Sequence, residues 1–284
     1  MSELATLGVG VGPITGRGRG GLARVLRDGG VVTWRNLLNI RRNPEMLMGA
    51  TVQPIMFVLL FAFVFGGSLG GGAYREFLMA GIFTQTVAFN SGFTTIGMAN
   101  DLQKGIIDRF RSLPMSRVAV ILGRTCSDLL INALGLVVMS LCGLLVGWRI
   151  HTDFWHAAGG FGLLLLFAFA MSWTGALVGL AARSVEVAQS AGFIWMFPAT
   201  FISSAFVSAT NLPGPLRAIA EWNPITTVAD ATRKLFGNHN PPNLPASTGW
   251  AADHAQLYSV GAAVLIIVIF LPLAVNRYRQ AANR

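Results

Sequence analysis

The chain has 284 residues, of which 53% are hydrophobic and only 12% charged, about half the charged share of a soluble domain. A mean hydropathy of +0.58, with apolar residues grouped in blocks of about twenty, excludes a single soluble core and matches membrane spacing. The net charge of +9 does not imply nucleic acid, because the basic residues sit between the apolar blocks instead of forming one stripe.

Residues 1–20 are Gly-rich (GVGVGPITGRGRGG) and read as a disordered tail. Met1 to Gly30 contain no short apolar region with a small-residue cleavage site, so no cleaved signal peptide is expected. Over 21–45 the pattern becomes amphipathic. Val31, Trp34, Leu37 and Leu38 fall on a different helical face from Arg35, Arg41 and Arg42, as suits a helix in the cytoplasmic headgroup layer. A transmembrane domain is expected over 46–276, with six spans at about 46–66, 77–98, 125–147, 157–181, 188–209 and 257–275, each near the length a bilayer requires. Pro54 and Pro198 should bend the first and fifth spans. Residues 277–284 form a short tail. The fold class expected is therefore an all-α membrane protein.

Charge asymmetry sets the orientation. With the N-terminus inside, sixteen Lys and Arg residues fall in cytoplasmic segments and five outside, which puts both termini in the cytoplasm of a cell-membrane protein. Cys126 and Cys142 share the third span about 24 Å apart, beyond disulfide reach.

Catalytic and metal motifs are missing from the sequence. Neither Lys104 nor Lys234 sits in a Gly-Lys-Ser/Thr phosphate loop, and His151, His156, His239 and His254 form no HExxH pattern. No catalytic or metal residue is assigned, and no cofactor is expected on this chain. Ion-coupled carriers usually hold carboxylates near the midplane, yet Asp128 is the one candidate here, four residues after Arg124. That spacing favours an anchoring ion pair over a gate.

Polar residues of the second span fall on two helical lines. Thr84, Ser91 and Thr95 form one, and Thr86, Asn90 and Thr94 the other. Such lines serve a polar path or close helix packing. Hydroxyls can bond their own helix, whereas the Asn90 amide needs partners.

Two segments between spans stand out. In Asp101–Arg117, Leu102, Ile106, Phe110 and Leu113 repeat as one apolar face, while Lys104, Asp108 and Arg111 form an opposed charged face, and Pro114 stops the pattern. The spacing predicts a short cytoplasmic amphipathic helix. Residues 210–256 predict two short outer helices broken at Asn223-Pro224, the second ended by Gly237, dipping back against the bundle as a re-entrant cap.

At these segments the chain resembles type-2 ABC transporter permeases, in particular the daunorubicin/doxorubicin-resistance subfamily. The likeness rests on Gly105, Ile106, Ile107, Asp108, Arg109, Phe110, Arg111, Ser112, Leu113 and Pro114 after the second span. It rests also on Leu212-Pro213, Asn223-Pro224-Ile225-Thr226 and Arg233 before the last, and on Arg42-Asn43-Pro44 before the first. Lys104 departs from the pattern, since many relatives carry an acidic residue there. The resemblance implies an exporter subunit that dimerises and pairs with a separate cytoplasmic ATPase, which would hold ATP and Mg. Leu102, Lys104, Gly105, Ile106, Asp108, Arg109, Phe110, Arg111 and Pro114 would couple to that ATPase. Asn223, Pro224 and Arg233 would belong to the outer cap. The substrate implied is an amphiphilic drug, antibiotic or lipid entering from the surrounding membrane lipids. The alternatives are a non-transport scaffold or sensor, or export of a glycan or lipid precursor by the same machinery.

Overall fold

The computed structural model describes residues 22–42, 44–65, 71–105, 117–242 and 244–281, and every extended element among them is helical. α1 (Leu22–Arg42) lies along the first half of α5 (Arg117–Leu145). Gly29, Val32, Thr33 and Asn36 face α5. The Thr33 hydroxyl donates to the Gly123 carbonyl at 3.1 Å, and the Asn36 amide donates to Ser127 Oγ at 3.0 Å. A Cβ on Gly123 would lie 2.8 Å from the Gly29 carbonyl oxygen, so this glycine lets the two backbones touch. Val31 and Trp34 stay exposed on the other face. The amphipathic character of α1 thus divides a protein-packing face from an uncovered apolar one.

α2 (Pro44–Leu59) carries Pro54 in its interior and continues into a π-helical turn, Leu60–Phe65. The second expected span is two helices, α3 (Gly71–Phe89) and α4 (Ser91–Gln103), which meet at Asn90. Both extend beyond 77–98. α6 (Phe154–Ala181) begins at an Asp153 cap, whose carboxylate accepts from the Trp155 N–H. Apolar all round, α6 is the most buried of the long helices, as that composition requires. α4, α5 and α11 (Ala255–Ala281) pack along it. Cβ atoms on Gly175 and Gly179 would overlap the carbonyl oxygens of Ser91 and Thr95. Two small residues one turn apart therefore bring α4 and α6 into backbone contact.

α7 (Val185–Phe201) ends eight residues before the expected 209. Its final carbonyls are taken by a side chain, because the Asn223 amide donates to Ala199 and Ile202 at 2.6 and 2.7 Å. After a 3-10 turn (Ala209–Asn211), α8 (Gly214–Glu221) and α9 (Pro224–Phe236) follow, then the short α10 (Trp250–Asp253). α9 starts at an Asn223 cap and stops at Gly237, whose φ of +69 is a left-handed geometry that glycine favours. It is buried along nearly its whole length among α3, α6 and α11. Phe83, Trp148, Phe161 and Phe236 form an aromatic knot there, and the Trp148 indole donates to Asn238 Oδ1.

Among the described residues, three helices are long and apolar enough to cross a membrane: Ala119–Leu145, Phe154–Ala181 and Ala255–Gln280. Val52–Val64 is a shorter apolar helix. The second and fifth expected spans do not meet that measure by themselves. α3–α4 is broken and rich in polar side chains, and α7 has 17 residues, about 26 Å of helix. Cys126 and Cys142 are free thiols.

Gly179→Leu should force α4 from α6 and lower the detergent melting temperature by several degrees, as overpacking by roughly 1–3 kcal/mol implies. Gly192→Ala, whose nearest neighbour would be Thr95 Cγ2 at 3.8 Å, should leave it unchanged in the same melting assay.

Candidate functional site: a polar-edged cavity beside a broken helix

A cavity of ≈ 190 Å³ lies between α2, α3, α4 and α7 beside the junction at Asn90, where the backbone keeps right-handed helical angles (φ −62, ψ −18). Phe57, Phe89, Phe93, Phe193, Phe197 and Phe201 supply most of its wall, and Gln53, Gln85, Thr86 and Asn90 its polar edge. The rings pack edge-on or offset: Phe89 meets Phe197 at 5.3 Å and 84°, and Phe193 meets Phe197 at 5.7 Å. Edge-to-face pairing of this kind leaves ring faces for an apolar guest. No charged side chain lines the cavity among the described residues.

The two polar lines of the second span have separate fates. Thr84 and Thr95 donate to the carbonyls one turn back, Ala80 and Ser91, and Ser91 and Thr95 lie against the α6 glycines. This line is packing. On the other line, Thr86 and Asn90 reach the cavity. Thr94 instead donates to Asp128 Oδ2 at 2.7 Å.

Asn90 opens a polar chain that runs from the cavity to the last turn of α4 and to Arg124 in α5. Its amide donates to Asn132 Oδ1 at 2.8 Å, and the Asn132 amide donates to the Asp128 carbonyl at 2.9 Å. The Asp128 carboxylate faces Arg124 Nε at 3.4 Å, and Arg124 Nη1 stands 3.8 Å from Asp101. The guanidinium lies across Gly97, where a Cβ would overlap it. The Arg124–Asp128 pair read from spacing therefore exists. What spacing missed is that it also ties α5 to α4 through Thr94.

Asp101 and Leu102 are in the last turn of α4, and Leu102 packs against the buried cluster that includes Met98, Ile121 and Trp173. Lys104 caps that helix and is exposed; Gly105, at φ +63, donates to the Leu102 carbonyl and turns the chain out. The expected amphipathic helix is thus corrected at its start. Asp101–Gln103 belong to α4, and a left-handed glycine follows two residues after its end. Ile106, Asp108, Arg109, Phe110, Arg111 and Pro114 lie outside the described residues, as do the tail 1–20 and Arg284.

On the opposite side of the bundle, Arg233 is 2% exposed. Its Nε donates to the Phe77 carbonyl at 3.0 Å, Nη1 to Asp230 at 2.6 Å, and Nη2 to the Ser204 and Ala205 carbonyls at 2.8 and 3.2 Å. The guanidinium also sits 3.7 Å above the Phe77 ring, a stacking geometry suited to its plane. Gly81 makes room, since a Cβ there would overlap the Ala205 carbonyl. Together with Asn223 and Pro224, Arg233 fixes α9 to α3 and to the segment after α7.

Sequence reasoning did not pick out Gln53, Gln85, Asn132, Asp230 or the α7 aromatics. A signal did exist for the last, because Phe193, Phe197 and Phe201 recur every four residues. Gln85 carries no such signal.

The family model described as ABC-2 type transporter matches residues 29–236. A daunorubicin resistance ABC transporter permease protein of Streptomyces coeruleorubidus is 29% identical over 249 residues, 87% of this chain and 84% of that protein. A putative transport permease of Pyropia yezoensis is 27% identical over 72% of each chain. A doxorubicin resistance ABC transporter permease protein of Mycobacterium tuberculosis is 26% identical over 50% of this chain and 54% of its own length.

Arg233→Ala should cost roughly 3–5 kcal/mol by leaving Asp230 buried without its partner, read as a lower melting temperature and less monodisperse protein in detergent. Arg233→Lys should recover only part of that loss, because a lysine has no planar fork.

Proposed function

The chain belongs to the ABC-2 type transporter family, and from that premise we propose that it is the permease subunit of an ABC exporter for an amphiphilic small molecule. The hydrolysis of ATP, with its Mg, takes place on a separate cytoplasmic ATPase. This subunit supplies the path and is not a catalyst. It works as a dimer, most simply with a second copy of itself, in the cell membrane. It crosses six times with both termini inside: α2, α3–α4, α5, α6, α7 and α11 are the spans, and α8–α9 form an outer re-entrant cap. The names of the relatives support a substrate of drug or antibiotic type.

The observation that carries this reading is the polar chain from Asn90 to Asp101. It joins the cavity to the last turn of α4 and to Arg124, about two turns into α5, and these two helices flank residues 106–116. An ATPase that displaces that stretch, through Phe110 and Asp108, moves both helix ends together. Packed helices shift as rigid bodies, so movement of α4 and α5 reshapes the cavity that α4 helps to line.

Co-purification with the ATPase and stimulation of its turnover by amphiphiles test the assignment. Phe110→Ala and Asp108→Arg should each abolish export while the protein still inserts; undiminished export by both would remove the coupling role of this segment. Topology is tested by labelling single cysteines, in a background lacking Cys126 and Cys142, with an impermeant maleimide. His239→Cys should react in intact cells and Lys104→Cys only after permeabilisation, and the reverse pattern would invert the orientation.

A further inference from the structure

Gln85 is out of keeping with the helix that carries it. It is 5% exposed, and its Oε1 is buried with no hydrogen-bond partner. The polar side chains one residue before it and five and nine after it, Thr84, Asn90 and Thr94, all have partners. Ser91 Oγ also lacks a partner, but it is shut against Gly175 of α6 and does not line this cavity. Gln85 does line a cavity. A carboxamide left unmatched in apolar surroundings is costly, and an Ala or Leu at this position would avoid that cost.

From this we infer that Gln85 is the hydrogen-bonding recognition group of the cavity, reading a neutral O–H or N–H on a guest with an apolar ring body. This inference rests on the exporter reading and deepens it by naming the chemistry of the ligand. Three features of the site select that chemistry. Its wall is aromatic, so the body of the guest is apolar and offers faces or edges to Phe89 and Phe197. The volume, ≈ 190 Å³, exceeds the roughly 150 Å³ that accepts a single benzene ring, so a fused-ring body fits. Among the described residues no charged side chain lines the site, so neither a phosphate headgroup nor an ammonium finds a counter-charge among them. A lipid tail would leave the Gln85 carboxamide unmatched and is disfavoured on that ground. A guest donor to Oε1 removes the mismatch, and rotation about the terminal torsion lets the same amide donate to a guest carbonyl.

The probes are 2-naphthol and 2-methoxynaphthalene, nearly equal in shape but differing in one neutral donor. Binding to the full chain in nanodiscs is measured by fluorescence, with empty nanodiscs subtracted for partitioning. Wild type should bind 2-naphthol about tenfold more tightly than its methyl ether, the worth of one matched neutral hydrogen bond. Gln85→Leu should remove that preference by weakening naphthol alone, while Gln85→Glu, which keeps shape and an acceptor, should retain part of it. Equal binding of the two probes by wild type overturns the inference. So does a Gln85→Leu variant that weakens both alike, or one that changes oligomeric state without altering the preference, which would assign Gln85 to contact between copies. The assay contains no ATPase. Failure to discriminate the probes therefore counts against Gln85, whereas failure to co-purify with an ATPase counts against the exporter reading.

Discussion

The guanidinium of Arg233 is held out of water at the meeting point of three segments, and much of the bundle is arranged to satisfy it. A buried cation is tolerable only when its donors and its charge are both matched. Here Asp230 supplies the charge, and the carbonyls of Phe77, Ser204 and Ala205 supply the acceptors. The Ser204 and Ala205 carbonyls are free because α7 stops at Phe201 and the chain after it runs irregularly. The early stop is possible because Asn223 takes over the last α7 carbonyls. One ion pair, one cap and one short helix thus depend on each other. Together they set the position of α7, and so the aromatic wall of the cavity.

A different device governs the other face of α3–α4. Backbone contact between α4 and α6, through Gly175 and Gly179, clamps the line of Ser91 and Thr95. With that face fixed, Thr86 and Asn90 turn toward α2 and α7, where an open cavity remains. The polar chain through Asn90, Asn132, Asp128 and Arg124 connects this cavity to the two helices that flank residues 106–116. In the proposed exporter this connection would join the lever to the path.

Local chemistry is what the sequence by itself determined. Block length and composition marked the long apolar helices α5, α6 and α11. Asn223-Pro224 and Gly237 marked the bounds of α9, because caps and left-handed turns are chosen by the residue that occupies them. The i,i+4 spacing of Arg124 and Asp128 announced their contact, and the motifs around Gly105 and Asn223 pointed to the ABC-2 family. Gly105 also shows the limit of that reading: apolar periodicity suggested a helix beginning at Asp101, whereas Asp101 and Leu102 end α4 and Gly105 follows at positive φ.

Tertiary structure decided which neighbour each face meets, because partners distant in sequence leave no periodic trace. Only the packed bundle separates Thr84, Ser91 and Thr95, which serve packing, from Thr86 and Asn90, which serve the cavity. Only the bundle joins Thr94 to Asp128 across 34 positions and Arg233 to Phe77 across 156. Gln85 is the clearest instance. In sequence it is one polar residue among several in an apolar helix; in the fold, its lack of a protein partner beside an uncharged aromatic cavity sets it apart. A buried polar group acquires meaning from what surrounds it, and the surroundings exist only once the helices have met.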